Sequence, residues 1–128
     1  MTSADMDRQK RPALETLPGV FSVCKVKDYS NIDLEAPFVF TGCTDQEKSL
    51  VCPMAMVPAD TLAREDGWKG FRIAGPLDFS LVGILAEITR TLAEQGISVF
   101  AISTFNTDYV FVKESSFEKA IEALEAPE

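Results

Sequence analysis

The sequence predicts an α+β protein built on antiparallel strands, with a ferredoxin-like unit in its second half. The main observation is the order of the hydrophobic patterns: from residue 68 onward they predict a strand, a helix, two strands and a second helix. The composition agrees, because 46% hydrophobic and 25% charged residues are typical of a globular domain. The length of 128 residues is enough for one domain or two small packed units.

The first half of the chain predicts short strands. Residues 20–26 alternate between the two faces of a predicted strand. Two further strands, over residues 38–44 and 49–52, flank a polar turn. Residues 58–65 are predicted to form a short helix, because proline is favoured in the first turn of a helix. Residues 27–37 have no helical periodicity and are predicted to be a loop.

The second half contains both helical patterns. The first has one apolar face, formed by Leu81, Ile84, Leu85, Ile88 and Leu92. Asp78 or Ser80 is its predicted N-cap, and Gly96 is predicted to follow it in the left-handed conformation. The second helix is predicted to begin at a capping box formed by Ser115 and Glu118.

Three strands are predicted around these helices, over residues 68–75, 97–104 and 108–113. No strand pattern follows the second helix, so the predicted unit lacks its last strand and exposes a sheet edge. Because such edges are usually covered, residues 20–26 are a candidate strand to fill this one, and the sequence leaves open whether they do.

These elements predict three segments: a mobile N-terminal arm over residues 1–17, a first unit over residues 18–66 and a second unit over residues 67–128. A short internal repeat suggests that the two units are related. The pattern T-x-x-T-D occurs at residues 41–45 and again at residues 104–108, a displacement of 63 residues. The first unit lacks the helix that the second has after its first strand.

Charge and composition exclude several classes of function. With 12 basic and 20 acidic residues, the net charge of −8 gives no positive surface for DNA or RNA, and it repels anionic membranes. The absence of histidine removes Ser-His-Asp and Cys-His catalysis and every histidine metal ligand. The cysteines Cys24, Cys43 and Cys52 are interpreted as small apolar residues in strands. We therefore expect no cofactor and no metal, and a cytoplasmic location because the N-terminus has no signal peptide.

Two polar segments are candidates for a ligand site. The connection that leads into the first predicted helix offers free backbone N–H groups for a carboxylate, and Asp78 beside them could attract an ammonium. Gly83 in the first turns could allow a ligand to approach closely. Residues 103–108 add several hydroxyls and the carboxylate of Asp108. The alternative interpretation is that Asp78 only caps the helix, Gly83 only packs, and residues 103–108 form an ordinary turn.

Residues 75–86 and 96–109 resemble the ligand loop, first helix and second strand of ACT domains. The likeness extends more loosely over residues 18–125 and includes the run Leu50 to Pro53. It is closest to short prokaryotic-type ACT proteins, a subgroup related to the ACT units of cytosolic arginine sensors. The resemblance implies a ferredoxin-like ACT fold of two ACT-like βαββαβ-type units, the first lacking a helix. It also implies a non-catalytic regulatory protein that binds an amino acid or similar zwitterion and pairs as a homodimer.

The resemblance further implies a set of ligand-binding residues: Asp78, Ser80, Leu81, Val82, Gly83, Ile84, Ser103, Thr104 and Asp108. Backbone groups around Val82 to Ile84 would hold the ligand carboxylate, and Asp108 or Asp78 would hold an ammonium or guanidinium group. Two other hypotheses remain open. The chain could be an interaction module that binds a partner protein and no metabolite, or an enzyme, although no acid-base or nucleophile constellation is present.

Overall fold

A computed structural model describes residues 13–74 and 83–126. These residues form seven strands and two α-helices: β1 Leu14–Thr16, β2 Phe21–Val26, β3 Phe40–Cys43, β4 Lys48–Pro53, β5 Ala63–Ile73, α1 Ile84–Glu94, β6 Val99–Ser103, β7 Asp108–Lys113 and α2 Phe117–Glu125. Short 3-10 helices follow β4 at Met54–Met56 and β7 at Glu114–Ser116. The chain divides into two compact units. Unit I consists of residues 18–69, and unit II of the described residues of segments 1–17 and 70–128.

Unit I is an antiparallel sheet with the strand order β3, β4, β2 and the first half of β5. Its core contains Cys24, Val26, Leu50 and Cys52, all buried, because alternate residues of β2 and β4 point to the same face. Residues of the loop predicted at 27–37, including Tyr29, pack against this core, and none of this loop is helical. The predicted loop therefore takes the place of a helix in covering the sheet.

Unit II is a sheet with the order β1, the second half of β5, β7 and β6, covered on one face by both helices. Helix α1 buries Ile88 and Leu92, which the predicted apolar face contained, and α2 buries Ala120. They pack against buried side chains of β5 and β7, namely Phe71, Ile73, Val110 and Val112. The predicted order strand, helix, strand, strand, helix is confirmed, as is the α+β class with an antiparallel sheet and two helices.

The strand that completes unit II differs from the prediction. Leu14–Thr16 pairs antiparallel with β5, with Leu14 opposite Ile73, whereas residues 20–26 pair with β4 and the first half of β5 in unit I. Leu17, which directly follows β1, is buried, and its N–H donates to the Gly70 carbonyl at 2.9 Å. The prediction of a mobile arm is therefore corrected for residues 14–17. A three-residue strand is too short to produce a recognisable alternation.

The predicted helix at residues 58–65 is wrong, because β5 already begins at Ala63 and no helix precedes it beyond Met56. The pairing of β5 with β2 shifts by one residue between Phe21 and Val23, as a β-bulge does. Gly67 lies at this point with a φ of +85°, a conformation that favours glycine. The predicted strand over residues 68–75 corresponds to the second half of β5, whereas the polar first half, which precedes the bulge, was missed.

Both predicted helix starts are also corrected. Gly83, with a φ of +87°, is the N-cap of α1, and the predicted caps Asp78 and Ser80 lie outside the described residues. The N-cap of α2 is Ser116, which makes no side-chain capping hydrogen bond, so Ser115 and Glu118 do not form the predicted capping box. The 3-10 helix before α2 leads directly into it and replaces that cap. Gly96 follows α1 with a φ of +71°, as predicted.

The internal repeat is present, but its register is 60 residues rather than 63. In the first hairpin the N–H of Thr44 donates to the carbonyl of Glu47, and in the second the N–H of Thr104 donates to Thr107, both at 2.9 Å. The equivalent strand pairs are Cys43 with Lys48 and Ser103 with Asp108. The 3-10 helices at 54–56 and 114–116 keep the same displacement. The repeated T-x-x-T-D letters are therefore out of register with the repeated structure.

Candidate functional site

The start of helix α1 is the first part of the predicted site. Gly83 is exposed, and Ile84 is half-buried against the core of unit II. The first helical hydrogen bond runs from the N–H of Glu87 to the carbonyl of Gly83 at 2.9 Å, so the N–H groups before it have no partner within the helix. Apart from its chain neighbours, no described residue comes within 4 Å of a Cβ built on Gly83. Its positive φ favours glycine here.

Four predicted site residues, Asp78, Ser80, Leu81 and Val82, lie outside the described residues. Of the five that are described, Gly83 and Ile84 lie at the start of α1, and Ser103, Thr104 and Asp108 lie in the hairpin of β6 and β7. Ser103 and Asp108 are opposite each other in the last pair of the hairpin; Ser103 is exposed and Asp108 is half-buried. The hydroxyl of Thr104 donates to the carbonyl of Thr107 at 2.9 Å, so it is engaged within the turn.

Thr107 connects this turn to the end of β5. It is 8% exposed, and its hydroxyl donates to the carbonyl of Ile73 at 2.8 Å. Ile73 is the last residue of β5, so the connection to α1 leaves the sheet beside the turn that contains Thr104. Helix α1 in turn packs against β6. The structure therefore brings Ser103, Thr104 and Asp108 to the place where this connection begins.

Sequence reasoning counted the Thr107 hydroxyl among groups available to a ligand, whereas the structure uses it to fix the turn. It also did not identify Arg72, which is half-buried in β5. A hydrogen bond with Tyr109 of β7 is the main cause that raises the pKa of Arg72, and Glu15 of β1 lies 3.6 Å away. The sequence could have indicated this, because Arg72 lies between the apolar residues Phe71 and Ile73. In a strand, the side chain between two buried ones points to the face of the sheet away from the core.

The cysteines belong to strands, as predicted. Cys24 and Cys52 are buried in unit I, whereas Cys43 is exposed, contrary to its interpretation as a packed apolar group. Burial, followed by the neighbouring Cys24, raises the pKa of the Cys52 thiol to about 11, so this thiol stays protonated and unreactive at neutral pH. Among the described residues, no cluster of three or more cysteine, aspartate or glutamate side chains could hold a metal ion.

Comparison with known proteins gives the following likenesses. The family model of the ACT domain matches residues 63–126, which contain the second unit's strand, helices and hairpin. A human protein, cytosolic arginine sensor for mTORC1 subunit 1, is 40% identical over 72 residues, which cover 53% of this chain and 22% of that protein. The chain thus spans about a fifth of the length of this curated relative.

Among solved structures, a protein from Agrobacterium tumefaciens superposes with a TM-score of 0.79 at 30% identity, covering 89% of this chain and 87% of that one. An aspartate kinase from Clostridium acetobutylicum superposes with a TM-score of 0.60 at 14% identity, covering 88% of this chain and 32% of the kinase. This second likeness shows a shared fold. In the described part of the chain, no helix has the length and apolar character needed to cross a membrane.

Proposed function

Because this chain belongs to the ACT domain family, we propose that it is a non-catalytic regulatory protein that binds a free amino acid in unit II. The observation that carries the proposal is the hydrogen bond from Thr107 to Ile73, which holds the β6–β7 turn beside the entry to α1. The sequence of that same region matches the family model. The name of the human relative, an arginine sensor, supports an amino acid as the ligand class.

The proposed site has complementary parts for a zwitterion. The N–H groups at the start of α1, near Gly83 and Ile84, have no partner within the helix and would hold the ligand carboxylate, since a helix N-terminus favours negative charge. Asp108 would attract the ligand's ammonium or guanidinium, and the exposed hydroxyl of Ser103 would accept or donate a further hydrogen bond. Thr104 would contribute only its backbone carbonyl, because its hydroxyl and its N–H both donate to the Thr107 carbonyl within the turn. Asp78, Ser80, Leu81 and Val82 complete the proposed set.

The proposal includes a homodimer and a cytoplasmic location. The name of the curated relative describes a cytosolic protein, which supports the location. In the described part of unit II, β6 pairs with β7 alone, so its other edge is open to a second chain. The second candidate function is an interaction module without a metabolite, favoured by the engagement of the Thr104 hydroxyl within its own turn.

Thermal unfolding of the full chain with each of the twenty amino acids tests the proposal. A ligand selective for the native state stabilises it by about 2.7 kcal/mol at a hundred times its Kd, which raises the Tm by several degrees. We expect such a rise with one amino acid or a small group. Titration calorimetry should show that Asp108→Asn weakens that binding at least tenfold, whereas Glu122→Gln, an exposed carboxylate on α2, leaves it unchanged. An unchanged Tm with all twenty would favour the interaction module.

A further inference from the structure

Phe105, at the tip of the β6–β7 hairpin, is an aromatic residue that the proposed ligand site does not use. Its side chain is 100% exposed, whereas the next most exposed large apolar side chain in the described part of the chain, Leu62, is 61% exposed. A fully solvated aromatic ring is unfavourable, because burying its apolar surface would lower the free energy. Phe105 gains no such burial from the fold of its own chain.

The turn that carries Phe105 is held in shape by its neighbours. The N–H and the hydroxyl of Thr104 both donate to the carbonyl of Thr107 at 2.9 Å. The hydroxyl of Thr107 donates to the carbonyl of Ile73 at 2.8 Å, which ties the turn to β5. A ring presented on such a preformed turn needs little further ordering when it binds, which suits the anchor of an interface.

The internal repeat shows that this turn does not require an aromatic residue. The equivalent turn of unit I is closed by the same bond, from the N–H of Thr44 to the carbonyl of Glu47, and Asp45 occupies the position of Phe105. A polar residue such as aspartate is the ordinary choice in a turn. The exposed ring therefore distinguishes unit II, and it lies just beyond β6, whose outer edge is open among the described residues.

A second copy paired along β6 brings Phe105 onto its partner. Strand β6 runs from Val99 to Ser103, so a two-fold antiparallel pairing centred on Ala101 places all five of its residues opposite residues of the partner's β6. Ser103 then lies opposite the partner's Val99. Phe105, two residues further, lies beside the partner's Ile97, in the connection between α1 and β6.

That connection has room for an aromatic ring. Gly96 is exposed with a φ of +71°, and apart from its chain neighbours no described residue comes within 4 Å of a Cβ built on it. The ammonium of Lys119 donates to the carbonyl of Gln95 at 3.2 Å, which holds a cation at the end of α1. A ring placed here would contact the bare glycine backbone and attract the nearby ammonium through its π face.

We propose that Phe105 is the anchor of the homodimer, seated on the partner's Gly96 and Lys119. The proposal rests on the homodimer of the proposed function and adds the side chain and the surface that receives it. The two-fold axis makes the contact twice. Because each chain carries a net charge of −8, two copies repel one another, and an uncharged ring against a lysine adds an attraction where charged pairs are scarce.

Photo-cross-linking of the full chain tests this contact directly. Benzoylphenylalanine in place of Phe105 should give a covalent dimer whose link, located by mass spectrometry, lies within residues 94–98 or at Lys119. Within one chain, the five residues of β6 separate Phe105 from Ile97 by about 17 Å, so such a link must join two copies. The same probe in place of Asp45, the equivalent turn position of unit I, is the matched control and should give no covalent dimer.

Sedimentation equilibrium over a dilution series measures the strength of the dimer. We expect Phe105→Ser to raise its dissociation constant at least tenfold, and Phe105→Leu, which keeps an apolar side chain, to raise it less. Asn106→Ser, at the neighbouring exposed position of the turn, should leave it unchanged. Matching far-ultraviolet circular dichroism spectra would show that all variants fold.

Three results would overturn the proposal: no cross-link from position 105 to that segment, equal dimer strength in Phe105→Ser, or an equal loss in Asn106→Ser. If Phe105→Ser stays dimeric while Ala101→Lys, which blocks the strand edge, is monomeric, the homodimer stands and only the anchor is wrong. If the natural chain is monomeric at every concentration, both the dimer and its anchor are wrong, and thermal unfolding with the amino acids still decides ligand binding on its own.

Discussion

Thr107 is the residue on which the geometry of the unit II site depends, because its buried hydroxyl bonds the carbonyl of Ile73 at 2.8 Å. We expect Thr107→Val to lower the free energy of unfolding by about 1–3 kcal/mol, since it leaves a buried carbonyl without its donor. Thr107→Ser keeps the hydroxyl and should cost only about 0.8 kcal/mol for the lost methyl group. Urea denaturation measures both changes. Equal losses would mean that the methyl group, and not the hydrogen bond, holds the turn.

The three thiols should differ sharply in reactivity. With an aromatic disulfide reagent at pH 8, we expect one thiol per native chain to react, namely the exposed Cys43, and all three to react in urea. A rapid reaction of a second thiol in the native chain would contradict the burial of Cys24 and Cys52.

The raised pKa of the Cys52 thiol predicts a loss of stability at alkaline pH. Because its pKa is raised from 9.0 to about 11 in the fold, the folded state favours the neutral thiol. This contribution is fully present below pH 9 and is lost as the pH rises through about 11. The difference in unfolding free energy between the natural chain and Cys52→Ala should therefore shrink between pH 8 and pH 10.5. A constant difference would show that the thiol is not shielded.

For single residues, the sequence indicated which polar side chains cluster, but not which of them are bonded within the fold. It selected Ser103, Thr104 and Asp108 because hydroxyls and a carboxylate cluster there, and the structure places them on one hairpin. It could not tell that Thr107 is bonded to Ile73, because that bond joins residues 34 positions apart. A hydroxyl's partner across such a distance depends on strand pairing, which local patterns do not report.

Strand β1 is the element whose importance the sequence hid. Leu17, 2% exposed, follows β1 and lies close to Gly70, where an added Cβ would be 3.1 Å from its Cδ1. We expect Leu17→Ala to lower the unfolding free energy by about 2–5 kcal/mol, as for other buried leucines. Thr16→Ala, at the neighbouring exposed position that ends β1, should alter it by less than about 0.5 kcal/mol. Similar small effects, measured by urea denaturation, would restore the mobile-arm prediction for these residues.

Elements were predictable where their patterns are long and regular. Helix α1 and strand β7 were identified because an apolar stripe or an alternation runs through each of them. Strand β1 has only three residues, and the first half of β5 is polar and ends in a bulge at Gly67, so neither segment has a regular pattern; the second half of β5 was predicted. A short strand such as β1 forms because the neighbouring strand has backbone N–H and C=O groups to pair with. That pairing depends on the assembled sheet and leaves no pattern in the local sequence.

At the scale of the whole molecule, the 60-residue repeat relates the hairpins of the two units. The strands β4 and β7 have the same burial pattern, with three buried residues in the middle and half-buried residues at the ends. Their hairpins are equivalent, but the charges around them differ, with Lys48 in one and Asp108 in the other. The interpretation of unit I as a degenerate ACT-like unit stays a prediction, which this shared design supports.

The proposed homodimer can be assigned to one sheet edge by the same repeat. Strand β6 is the structural equivalent of β3 but is more apolar, because it contains Phe100 and Ile102. These two side chains are half-buried, whereas β3 is exposed from Thr41 onward. We therefore expect a second chain to pair along β6. Light scattering after gel filtration should give a mass of twice the 14.0 kDa chain.

Ala101→Lys, in the middle of β6, should convert the dimer to a monomer, because a lysine on an edge strand opposes pairing. The matched control is Thr41→Lys, at the equivalent position of β3, which should remain dimeric. Both positions are exposed in the single chain, so neither change should affect its folding. If only Thr41→Lys became monomeric, unit I would hold the dimer edge, and a ligand bound beside β6 would then have to be contacted by one chain alone.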